Sequence, residues 1–92
     1  MEELLEFMAL ARMDHRIGPA HVSLFVALIC LWQEAGVAGA FSVERKEGME
    51  RSRILGKERY YRCLKELKEL GYIGYEPEFY PGKRSKVWIG GV

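Results

Sequence analysis

The chain has few of the residues that mark specialised chemistry. It holds two cysteines and two histidines in 92 residues. Cys30 and Cys63 form no CxxC pair and match no Cys/His ligand spacing, which argues against a structural zinc site. Both fall inside apolar helical patterns and are expected as buried free thiols in a reducing compartment. His15 and His21 lie near helix ends, with no Cys, Asp or Glu at ligand spacing. There is neither a Gly-rich phosphate loop nor a nucleophile elbow. The expectation is a protein that is not an enzyme, with no catalytic residues, no metal and no cofactor. His21, at the start of an apolar helix, reads as a polar cap or a dimer contact rather than a ligand. Only three prolines are present, and no Ser/Thr-rich or Gln/Asn-rich tract supplies a long linker. No internal repeat is visible. The longest apolar run, Val22 to Trp32, is about ten residues and too short to span a bilayer. No signal-peptide pattern opens the chain, so no membrane association and a cytoplasmic location are expected.

What remains is an ordinary globular composition, 49% hydrophobic and 29% charged, of a length that supports one domain, 1–92, with a modest core. The net charge of +1 hides an asymmetry. Residues 1–50 carry four Lys/Arg against eight Asp/Glu, or −4, and residues 51–92 carry ten against five, or +5. A basic working face built from the C-terminal half is the implied consequence. Arg51, Arg53, Lys57, Arg59 and Arg62 have only Glu58 among them, which solvated Lys/Glu pairing does not explain.

Residues 2–14 read as a helix, with Glu2, Glu3 and Glu6 at its start and Arg12, His15 and Arg16 at its end, in accord with the helix dipole. Residues 1–16 are this N-terminal helix and 17–92 the body. Ile17-Gly18-Pro19 breaks the chain, and Pro19 suits the first turn of a second helix running to about Ala35. That second helix leaves almost no polar face and must be covered nearly all round. Either the first helix folds back over it or a second subunit covers it. A homodimer through the N-terminal helix and residues 20–35 is the expectation. Phe41-Ser42-Val43 alternates like a brief strand. Glu44 to Arg51 reads as a short charged helix anchored by Met49. Its Gly48 costs about 1 kcal/mol relative to alanine, unless the following helix must approach closely there. Ile54 plugs the core from the turn Ile54-Leu55-Gly56.

The most informative stretch is Ser52 to Ile73. Tyr60, Cys63, Leu64, Leu67 and Leu70 recur at helical spacing as one apolar stripe, and Gly71 stands where a helix ends in a left-handed residue. Tyr72 to Glu76 and Lys86 to Ile89 read as two strands, joined by a long connection holding Pro77, Pro81 and Gly82. The order α-α-β-α-α-β-β, mainly α with a small β-hairpin, is that of a winged helix-turn-helix with an extra N-terminal helix. On its recognition helix, the face away from the stripe holds Glu58, Arg62, Lys65 and Glu69, with Lys57 and Tyr61 at its shoulder. Lys57, Glu58, Tyr61 and Arg62, in the first two turns, are the candidates for base edges, since arginine grips guanine and glutamate accepts from cytosine. Arg51, Arg53, Arg59 and Lys65 are candidates for phosphate contacts. Lys83, Arg84 and Lys86, at the tip and edge of the hairpin, would track the backbone or the minor groove.

The strings LKELKELGYI and KERYYRC resemble the recognition helix and first wing strand of bacterial winged-helix regulators. PAHVSLFVALICLW, FSVERKEGM, SRILGKERYYRCLKELKELGYIGYEP and GKRSKVWI further resemble small helix-turn-helix proteins of Bacteroides-type mobile and conjugative elements. The resemblance covers residues 1–90 or so. It implies double-stranded DNA binding in a nucleoid-associated bacterial protein, in transcription regulation of a mobile element. Those relatives carry a small hydroxyl residue where Glu44 stands and small residues where Glu58 and Arg59 stand, so their base preference does not carry over. Two other readings remain: an architectural, replication or excision accessory DNA-binding protein, and a winged helix used for protein–protein interaction.

Overall fold

A computed structural model describes residues 2–77 and 84–90. The elements run α1 (Glu2–Ala11), α2 (Pro19–Ala35), β1 (Phe41–Glu44), α3 (Arg45–Ser52), α4 (Lys57–Glu69), β2 (Ile73–Pro77) and β3 (Arg84–Ile89). The fold is thus α+β, four helices with a small antiparallel sheet of three strands in the order β1-β3-β2. The element order expected from the periodicities holds. The sheet is larger than a hairpin, because β1 pairs with β3 from Phe41↔Val87 to Glu44↔Arg84. The central strand is therefore β3. Arg84 and Lys86 alternate with the buried Ser85 and Val87. They stand on the open face of a three-stranded sheet, not on a hairpin's free edge. The connection between β2 and β3, with Lys83 in it, lies outside the described residues.

One apolar core joins the elements. Leu24, Phe25, Leu28 and Ile29 from α2 meet Tyr60, Cys63, Leu64 and Leu67 from α4, with Phe41, Val43, Ile73 and Val87 from the strands. The stripe expected on α4 is therefore buried in the expected phase, with Leu70 half-buried at its end. Gly71 adopts φ 88°. Its N–H donates to the Lys68 carbonyl and that of Tyr72 to Leu67, both at 3.0 Å, which closes the helix end. Ile54 is buried, whereas Leu55 beside it is 94% exposed.

The apolar α2 is covered largely from within the chain. Phe7 of α1 stacks on Phe25 with centroids 3.9 Å apart and meets Tyr72 edge-on at 5.1 Å. The Ser23 hydroxyl donates to the Ser52 carbonyl and ties α2 to the end of α3. Between its two ends, what stays open on α2 is a small patch of Val26 and Cys30. Cys30, expected to be buried, is exposed because the all-apolar helix turns one side to solvent; Cys63 is buried as expected.

Helix α1 ends at Ala11, three residues short of its expected end. The Asp14 carboxylate takes the Arg16 backbone N–H at 3.0 Å, a local bond that competes with helix continuation. It also accepts from the Arg16 guanidinium at 2.9 and 3.0 Å and from the Tyr72 hydroxyl at 2.8 Å. The Arg16 side-chain bonds come first in holding the Asp14 carboxyl well below its ordinary value, and the Arg16 N–H and Tyr72 bonds add to them. A depressed folded-state value contributes stability in full above the unfolded value. That contribution fades as pH falls from about 4 towards the folded value. Asp14→Asn should therefore lower the melting temperature at neutral pH, and the gap to the parent should shrink below about pH 4. A gap independent of pH would remove the carboxylate from the account.

Candidate nucleic-acid interface

The turn between α3 and α4 begins at Arg53, which holds φ 61° and ψ 26°. Its N–H donates to Glu50 and that of Ile54 to Met49, so an arginine occupies the left-handed position that glycine usually fills. This costs roughly 1–2 kcal/mol. Arg53→Gly should stabilise the fold by about 0.5–1 kcal/mol after the extra chain entropy of glycine is subtracted. Denaturant unfolding reads the change directly; a loss of stability would mean that the Arg53 side chain makes a contact worth more than its backbone costs.

Gly56 caps α4 at φ −92° with no side chain to occupy the first-turn N–H groups. From there α4 turns outward Lys57, Glu58, Arg59, Arg62, Lys65, Lys68 and Glu69, all exposed. Lys57, Arg59, Arg62, Lys65 and Lys68 form no ion pair among the described residues, and the helical Arg59–Glu66 and Lys65–Glu69 pairs are not made. Glu58 lies in the first turn, where the positive helix end favours a carboxylate. That gives a local reason for an acid on an otherwise cationic face.

The first turns of α4 open onto a cleft of about 370 Å3 lined by Arg45, Lys57, Tyr61, Tyr75, Pro77, Arg84 and Ser85. Three expected site residues thus meet: Lys57 and Tyr61 from the helix and Arg84 from the sheet. Tyr61 is half-buried, its ring set at 65° against that of the buried Tyr60, with centroids 5.2 Å apart. Arg84 donates to the Ser42 hydroxyl at 3.4 Å and stands 3.6 Å from the Glu44 carboxylate, so its charge is partly balanced. Lys86 projects from the open sheet face between Ser42 and Glu76 of the neighbouring strands.

Glu58, Arg59, Arg62 and Lys65 on α4 and Lys86 on β3 do not line this cleft, and Arg51 and Arg53 lie apart from α4 and the sheet as well. Arg51 is bound to Glu34 of α2 at 2.7 Å and to Glu47 at 3.0 Å, which raises its pKa and makes it a strut between α2 and α3. Arg53 lines a separate open groove with Val26, Cys30, Met49 and Leu55. Lys83 lies outside the described residues. Arg45 was missed by sequence reasoning. It sits in the acidic half of the chain, and only the pairing of β1 with β3, which ends at Glu44↔Arg84, brings the start of α3 to the cleft.

The histidine is also better placed than its spacing implied. His21, Cys63 and Glu66 bring ligand-type atoms within 4.8 Å of one another. The Gly18 N–H donates to His21 Nδ1 at 2.9 Å, which puts the ring proton on Nε2, and Nε2 lies 2.8 Å from Glu66 Oε1. A metal would need the Nε2 lone pair, and that atom is the donor to Glu66. Burial also pushes the Cys63 thiol up, against the thiolate a metal requires. His21 therefore caps α2 and pins it to α4. No protein-family model, curated protein or solved structure matches this chain.

Proposed function

We propose that the protein is a winged helix-turn-helix module that binds double-stranded DNA. In this reading α4 is the recognition helix in the major groove, and the cations of the sheet face hold the backbone. The observation that carries it is the joining of Lys57 and Tyr61 of α4 with Arg45 of α3 and Arg84 of β3 in one cleft, beside a row of α4 cations that form no ion pair among the described residues. A duplex laid along α4 meets base edges with Lys57, Tyr61 and Arg62 and phosphates with Arg45, Arg59, Lys65, Arg84 and Lys86. Glu58 is the acceptor on that face for a cytosine amine. The sequence resemblance adds a role in regulating a mobile element, in the cytoplasm at the nucleoid.

The test is binding to random duplex across a salt titration. Four to six phosphate contacts give log K a slope of about −4 to −5 against log salt. Selection of bound sites from random duplex then reads base preference. A folded chain that binds no duplex at low salt overturns the proposal.

A further inference from the structure

Two helices and a strand begin at one cleft. Arg45 is the first residue of α3, Lys57 the first of α4 and Arg84 the first of β3, and all three line the cleft of about 370 Å3. Among the described residues no carboxylate lines it; Glu47 and Glu58, in the first turns of the two helices, do not. Arg45 and Lys57 form no ion pair among the described residues, and Arg84 stands 3.6 Å from the Glu44 carboxylate. Neither helix start carries a side-chain cap, so the partial positive charge of both adds to that of the cations. The same lining holds the half-buried rings of Tyr61 and Tyr75, from α4 and β2. Ser85, 4% exposed, bonds the Tyr75 hydroxyl and holds that ring in place.

We propose that this cleft binds a nucleoside phosphate with a terminal monoester, as a free mononucleotide or as the 5′-phosphate end of a DNA strand. Charge selects the monoester. Three cations less the one that Glu44 opposes leave two positive charges in the cleft. A backbone phosphodiester brings one negative charge, whereas a terminal phosphate carries about −1.5 to −2 at pH 7. Shape and chemistry select the nucleoside. The volume falls in the range of small-ligand sites, about 300–1,000 Å3, and a lone phosphate would leave both tyrosines unused. A base stacked on an aromatic ring, with its phosphate among cations, uses the whole lining. Only the anion-holding role of Arg45, Lys57 and Arg84 is shared with the DNA-binding reading on which this site rests; a mononucleotide needs no duplex along α4.

Binding is read on the full chain by amide and tyrosine-ring NMR shifts, with each deoxynucleoside 5′-monophosphate titrated in turn. Shifts should be confined to the lining, at Arg45, Lys57, Tyr61, Tyr75 and Arg84. The nucleoside without its phosphate should bind about tenfold more weakly or worse, and inorganic phosphate about fivefold or worse. Arg45→Gln should weaken the mononucleotide about tenfold. Tyr61→Leu should weaken it about fivefold, while Tyr61→Phe keeps the ring and should stay within about twofold. Circular dichroism checks that each variant folds, and Arg45→Gln carries the test if Tyr61→Leu does not. Short blunt duplexes with and without a 5′-phosphate separate the sources. A 5′-phosphate that raises affinity and is displaced by mononucleotide identifies a strand end; equal affinity for both duplexes, with mononucleotide bound, identifies the free nucleotide. No mononucleotide binding at millimolar concentration, shifts spread evenly along Arg59, Arg62, Lys65 and Lys68, or unchanged affinity in Arg45→Gln would each overturn the proposal. A chain that binds duplex but no mononucleotide loses this site alone, and one that binds mononucleotide but no duplex loses only the DNA-binding reading.

Discussion

Gly48→Ala should lower the stability of the fold by about 1–3 kcal/mol, although the same change in an open helix interior raises it by about 1 kcal/mol. A Cβ at Gly48 would stand 2.8 Å from Tyr60 Cζ and closer still to its hydroxyl oxygen. Tyr60 is 1% exposed and has no free space into which to swing. The residue that weakens α3 is the one that lets α4 lie against it, and the angle between those helices decides how α4 is presented. Tyr60→Phe removes the nearest atom but leaves the ring, so the double variant should recover part of the loss. A double-mutant cycle in urea should show coupling of at least about 0.5 kcal/mol. Gly48→Ala that stabilises the protein would mean that Tyr60 does not pack on α3. Gly74 offers a contrast. Its Cβ would collide with the indole of Trp88, but that ring is half-buried on the open side of the sheet and not in the core.

The close approach at Gly48 was legible because a glycine inside a charged helix has a cost that needs a reason. The same locality made α4 legible. Tyr60, Cys63, Leu64 and Leu67 repeat at the helical period, Gly71 marks the stop, and neither signal depends on the rest of the chain. The sheet was less so. Phe41-Ser42-Val43 could be read as a strand from its alternation, but nothing local says that its partner is Arg84 to Val87, more than forty residues away. The pairing that makes β3 central therefore moved Arg84 and Lys86 from an edge to a face. Cys30 failed for a related reason: a helix apolar all round carries no sign of which side the other elements leave open.

The candidate site was legible as a list of cations and not as a shape. Charge asymmetry drew attention to residues 51–92 and so to Lys57, Arg62 and Arg84. It equally drew in Arg51, because one sequence does not reveal that Glu34 of α2 lies within reach of it. Arg45 shows the opposite error. Its neighbours Glu44 and Glu47 make it look like part of a balanced acidic segment, while Glu44 is in fact opposed by Arg84 across the sheet, leaving Arg45 to the cleft. Residues that meet through tertiary structure carry no mutual spacing in the chain.

Lys57→Glu combined with Arg62→Glu should reduce duplex affinity by at least about 100-fold at moderate salt, the largest functional effect expected here. Each base-edge contact is worth about 1–3 kcal/mol, and each reversal also sets a negative charge against the duplex where a positive one stood. Both side chains are exposed and form no ion pair among the described residues, so the fold should be unaffected. The melting temperature supplies the check. Arg51→Glu makes the informative control, because its charge is already engaged by Glu34 and Glu47. It should cost stability while changing the salt slope little. The reverse pattern, with strong loss of binding at Arg51 and little at Lys57 and Arg62, would put the duplex on the α2–α3 side of the molecule and away from the cleft beside β3.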